Sequence, residues 1–120
     1  MFTQKDIAIA QDTPVQVHVV VGFAQHCDFD CKLFDTQGNH PQLVFSGSTL
    51  HSDPPPFALD ISRSQLIGRF LMTKATVQNL GGNQFSVTVR FSQGGQPIGE
   101  IQQAGQFTDV QTVTLVARFV

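Results

Sequence analysis

His26, Cys27, Asp28, Phe29, Asp30 and Cys31 form the densest run of metal-liking and titratable side chains in the 120-residue sequence. Two thiols and an imidazole are ligand types that zinc takes, and two aspartates are the hard oxygen donors that calcium takes. The backbone decides which chemistry is available, because alternate side chains of an extended strand face opposite ways. Cys27, Phe29 and Cys31 then point to one side, and His26, Asp28 and Asp30 to the other. Four residues of strand hold the two cysteines on the order of 13 Å apart, beyond disulfide reach and too far to clasp one zinc. The strand reading makes both thiols small buried hydrophobes. A metal-dependent enzyme built on His26, Cys27 and Cys31 needs a bend in the segment, and no second cysteine pair at metal spacing supports it.

On the other side of that strand, Asp28 and Asp30, joined by Asp60 or Asp53, make an oxygen set able to hold calcium. The competing reading is that aspartates on a solvent face keep a strand edge soluble. The glycine and terminal glutamate of a helix-loop-helix calcium loop are absent. His51-Ser52-Asp53 contains the residue types of a hydrolytic triad, but direct neighbours do not line up as nucleophile, base and orienting acid, so a solvated loop is expected. The glycine pairs beginning at Gly81 and Gly94 sit between strands and read as hairpin turns, not as phosphate or dinucleotide loops. His18 is expected to be a hydrogen-bonded structural residue. Arg63 and Arg69 flank a short helical turn, where two arginines are ordinarily surface decoration.

The elements that must position these residues are strands. Phe85 to Ser92 alternates apolar and polar residues without error between glycine-rich turns. Val113, Leu115, Ala117 and Phe119 repeat that grammar at the C-terminus with Val116 the exception, and Val15, Val17, Val19, Val21 and Phe23 line one face of an upstream β-branched run. Cys27, Phe29, Cys31 and Leu33 continue into a turn over Asp35-Thr36-Gln37-Gly38-Asn39, with Leu43 to Phe45 as a short return strand. Gly47 to Pro56 reads as a loop ending in three prolines, followed by Phe57, Leu59 and Ile61 in alternation. Ser62 to Leu66 suits one helical turn, and Phe70 to Val77 a further strand. Ile98 and Ile101 are out of phase around Gly99, which predicts a bulge. Ile7 to Ala10 is a weaker edge candidate.

Composition limits the function. Charged residues make up only 13% of the chain, so fifteen glutamines with Thr, Ser and Asn must build much of the surface. The net charge of −2 and scattered Lys and Arg give no cationic field for a phosphate backbone, so no nucleic acid partner is expected. No apolar run approaches a membrane span or an export signal, which predicts a cytoplasmic chain unless a leader was removed. Trp and Tyr are absent, which disfavours sugar stacking and antibody-like recognition.

Val19-Val20-Val21-Gly22-Phe23, then Asp28-Phe29-Asp30 and Leu33-Phe34-Asp35, with Pro55-Pro56-Phe57-Ala58-Leu59-Asp60, resemble the TerD and TerA family of tellurite-resistance and stress proteins. That resemblance implies a calcium-binding β-sandwich. The acidic, glycine-rich calcium loop and the C-terminal extension of the family are missing here.

The sequence thus predicts an all-β chain, a single antiparallel β-sandwich of immunoglobulin-like or jelly-roll type, with roughly eight or nine short strands in one domain over residues 1–120. Its expected core contains Val17, Val19, Val21, Phe29, Leu33, Phe45, Leu59, Phe70, Val87, Val89, Leu115 and Phe119. The expected function is non-enzymatic binding or assembly through self-association or protein contacts, giving a homo-oligomer with no cofactor. A calcium-binding stress-response sandwich using Asp28, Asp30 and Asp60 is the alternative, and a metal-dependent or hydrolytic enzyme the second.

Overall fold

The computed structural model describes residues 2–49 and 54–120. His51-Ser52-Asp53, the candidate hydrolytic run, and the candidate calcium ligand Asp53 lie outside the described residues. The chain is nearly all β. In order, it forms β1 (Phe2–Ile7), β2 (Val15–Gly22), β3 (His26–Phe34), β4 (Gln42–Ser48), β5 (Phe57–Leu59), α1 (Arg63–Leu66), β6 (Phe70–Gln78), β7 (Gln84–Gln93), β8 (Gln96–Gln106) and β9 (Val110–Phe119). These make two sheets, a five-stranded one ordered β1-β9-β6-β3-β4 and a four-stranded one ordered β5-β2-β7-β8. Among the described residues, only β3–β4 and β7–β8 are consecutive strands that pair, and the other successive strands lie in different sheets.

Alternation puts one face of each core strand into a shared apolar cluster. β7 contributes Phe85, Val87, Val89 and Phe91, β9 contributes Val113, Leu115, Ala117 and Phe119, and β2 contributes Val15, Val17 and Val19. Fully burying a side chain of this size stabilises by roughly 1.5–3 kcal/mol. The Phe91 and Phe119 rings meet edge to face at 5.7 Å, joining β7 of one sheet to β9 of the other. Phe45 of β4 stacks on Phe57 of β5 at 4.5 Å and does the same along another side.

Two irregularities shape the edges. The β7–β8 register passes from Phe91 opposite Gly99 to Ser92 opposite Pro97, which leaves Ile98 as the extra residue beside Gly99, as the phase slip predicts. The β3–β4 register likewise skips Val44 between Phe45 and Leu43. The Asp35 turn forms because Asp35 Oδ1 accepts hydrogen bonds from the Gln37 and Asn39 amides, at 2.9 and 2.8 Å, while Gly38 takes φ 77°. α1 is the single turn expected, with Ser62 at its N-cap.

Several sequence expectations need correction. The N-terminal strand is Phe2–Ile7, not Ile7–Ala10, and it pairs with β9 in parallel, so the chain is not wholly antiparallel. Phe70 faces outward beside Phe34, because the inward residues of β6 are Leu71, Thr73, Ala75 and Val77. Val21 and Phe45 are half-buried against the core. Phe23 leaves the valine stripe altogether: β2 ends at Gly22, and Phe23 and Ala24 take φ 62° and 53° in the turn to β3. The return strand β4 is longer than expected and includes Gly47 and Ser48, the start of the predicted loop.

Candidate functional site

β3 lies between β4 and β6, so the hexad is extended and its side chains divide as strand geometry requires. Cys27, Phe29, Cys31 and Leu33 are buried, and both cysteines are free. Burial pushes the Cys27 thiol up to about 12, with the Asp28 carboxylate adding to the rise. Burial raises Cys31 to about 11 although a side-chain hydrogen bond to Thr73 opposes it; Cys31 Sγ and Thr73 Oγ1 are 3.3 Å apart. Thiols held protonated in this way are poor nucleophiles and poor metal ligands. The zinc arrangement of His26 with both cysteines is not assembled, since the imidazole and the thiols occupy opposite faces of the strand.

On the outward face, His26 Nε2 sits 3.4 Å from Asp28 Oδ1. Asp30 stands opposite Lys74 on β6 and Ser46 on β4. His26 Nδ1 and Asp30 Oδ1 are buried with no hydrogen-bond partner. Asp60 follows β5, at the edge of the other sheet, and is exposed. Among the described residues no three His, Cys, Asp or Glu side chains gather closely enough to hold a metal ion, so Asp28, Asp30 and Asp60 do not form a calcium cluster. Arg69 donates from Nε to the Phe34 carbonyl at 3.0 Å, a structural bond that separates it in role from exposed Arg63.

Chemistry converges instead on the outer face of the four-stranded sheet. The register aligns His18 of β2 with Arg90 of β7 and Arg90 with Glu100 of β8, so three polar side chains form one row across three strands. Directly opposed residues on one sheet face stand about 4.5–5.5 Å apart at Cβ, close enough to act on one ligand. The next row holds Gln16, Ser92 and Pro97. Arg90 Nε meets Glu100 Oε2 at 3.5 Å, and Lys5 Nζ donates to the Glu100 carbonyl at 3.0 Å. Lys5 reaches this row because β1 runs beside β8: an added Cβ at Gly99 would lie 2.9 Å from Ile7 Cδ1, so the missing side chain leaves room for Ile7. With Pro56 on the β5 side, these residues border an open groove of about 850 Å³.

The alternation of Phe85 to Ser92 puts Arg90 on a polar strand face, and Glu100 is the only glutamate of the sequence, but no local pattern brings them together with His18. Their meeting depends on the β2–β7–β8 register and on the Ile98 bulge. Compared with protein-family models, with curated proteins and with solved structures, the chain matches none of them. The TerD and TerA resemblance therefore rests on the quoted residues alone.

Proposed function

We propose that the chain is a non-enzymatic binding or assembly module, one sandwich domain over residues 1–120, that forms a homo-oligomer along its β4 side. Strand order that changes sheet at nearly every connection favours the jelly-roll type over the immunoglobulin arrangement, whose first two strands lie side by side. The observation that carries the assembly reading is an asymmetry between two sides. Along one, β1 and β8 are tied together by the Lys5 bond to Glu100, by Thr3 Oγ1 donating to Gln103 Oε1 and by Ile7 against Gly99. Along the other, β4 has β3 as its only paired neighbour among the described residues and carries no charged residue over Gln42–Ser48.

Edge strands are normally protected by charge, proline or covering elements. β4 has its bulge at Val44, but Leu43 beside it is 57% exposed. Between β4 and β5 lies an open cleft of about 370 Å³ bordered by Leu43, Val44, Ala58 and Ile61. A second copy pairing edge to edge would extend the five-stranded sheet beyond β4 and cover this cleft.

Sedimentation equilibrium over a wide concentration range tests the reading. A reversible dimer or larger species is expected, and Leu43→Lys should shift it to monomer while circular dichroism stays unchanged. A wild-type chain that remains monomeric at its highest attainable concentration removes the proposal. Among the described residues no helix is long and apolar enough to cross a membrane.

A further inference from the structure

We propose that the groove bordered by His18, Arg90, Glu100 and Lys5 binds a small organic anion, a carboxylate or phosphate ester carrying an apolar body. Charge is the first argument. Lys5 and Arg90 bring two permanent positive charges to the groove and Glu100 one negative, so the groove is net positive on a chain whose net charge is −2. A concave site of one sign concentrates ligands of the other.

The donors are placed to use that charge. Arg90 approaches Glu100 at 3.5 Å through Nε, and no hydrogen bond ties its guanidinium to a described residue. A guanidinium fork matches two oxygens of a carboxylate or phosphate, with bonds stronger than those of neutral donors. Lys5 gives one ammonium proton to the Glu100 carbonyl, which leaves two of its three donors. His18 stands directly across from Arg90, and Ser92 lies one row away.

Size and walls specify the rest of the ligand. About 850 Å³ lies within the range of small-molecule sites and exceeds what an inorganic ion fills. Pro56 on the β5 side and Pro97 on the β8 side give the groove two rigid apolar borders, which suits a ligand body without charge. The groove is separate from the β4 edge, so the anion site stands or falls independently of self-association.

Two-dimensional amide NMR with benzoate, neutral benzamide and inorganic phosphate tests the proposal. Benzoate is expected to shift the amides of His18, Arg90 and Ser92 and to leave those of β4 in place, while benzamide does neither. Arg90→Gln should weaken benzoate binding about tenfold, equivalent to ~1.4 kcal/mol. Glu100→Gln should tighten it several-fold, because it removes the carboxylate that competes for Arg90. Stronger shifts with phosphate than with benzoate assign the site to phosphate esters, and the reverse assigns it to carboxylates. Both variants are at exposed positions, and the same spectra report whether the fold is kept. No groove shift with either anion, equal shifts with benzamide, or unchanged affinity in Arg90→Gln overturns the proposal.

Discussion

Gln93 has no solvent exposure, yet its amide loses none of its hydrogen bonds. Oε1 accepts from the Ala10 and Gln11 amides at 2.9 and 3.1 Å, and Nε2 donates to the Gln11 and Thr13 carbonyls at 2.9 and 2.7 Å. One side chain thereby fixes the connection between β1 and β2. Gln25 performs the same task at the β6–β7 crossing: Nε2 donates to the carbonyls of Gly81 and Gln84, and Oε1 accepts from the Leu80 amide. A buried group left unpaired costs roughly 1–3 kcal/mol, and the Ala10–Thr13 backbone is exposed enough to rehydrate in part. Gln93→Leu is therefore expected to lower stability by about 2–4 kcal/mol and to speed hydrogen exchange at Ala10 and Gln11. Urea unfolding followed by circular dichroism checks this, with Gln102→Leu at an exposed position as the control. An unchanged midpoint in Gln93→Leu would show that the connection holds without its clamp. Composition alone assigns the glutamines to the surface, and nothing local separates Gln25 and Gln93 from the thirteen others.

Strand pairing produces a comparable dependence at the next scale, where a small residue on β4 serves a large one on β3. Gly47 pairs with Phe29, and a Cβ at Gly47 would lie 2.8 Å from Phe29 Cζ and 3.3 Å from Phe45 Cε2. The Phe29 ring covers this glycine, reaches Phe45 at 6.0 Å, and Phe45 in turn stacks on Phe57 of the other sheet. Gly47→Val would displace that series of rings, and overpacking of this kind costs typically 1–3 kcal/mol. Thermal unfolding should show the loss, and the Phe45→Ala background should reduce it because the ring series is already broken. Equal loss in both backgrounds would mean that Gly47 acts through its own backbone only. Such relations explain which elements are legible in the sequence. β3 and β7 alternate in sequence, β9 does so except at Val116, and each emerges at its expected position. β1 lacks alternation because most of its residues are exposed, and β4 is half-covered, so both edges are misplaced or shortened. The hexad's division into buried thiols and outward acids follows from period two alone. The groove requires knowing which strands are neighbours and in what register, and no local pattern carries that information.

For the whole molecule, the open β4 side has its counterpart in how β1 closes the opposite one. β1 is the last strand of the five-stranded sheet, paired in parallel with β9, and it also lies against β8 of the other sheet. Its inward anchors are Ile7 and Ile9, at 1% and 4% exposure, and the backbone continues the docking through Ile9 N–H to the Val120 carbonyl and Val120 N–H to the Ile7 carbonyl. Two fully buried isoleucines contribute roughly 3–6 kcal/mol at 1.5–3 kcal/mol each, comparable to the total stability of a small domain. A chain lacking residues 1–9 is therefore expected to melt well below the full chain and to associate through the newly bared edges of β8 and β9. Leu43→Lys should not reverse that association, since it acts on β4, whereas it should reverse the association of the full chain. Calorimetry and sedimentation on the truncated chain, with and without Leu43→Lys, separate the two. A truncated chain with the same melting temperature would show that β1 decorates the sheets and does not close them, and it would remove the asymmetry from which assembly along β4 is argued.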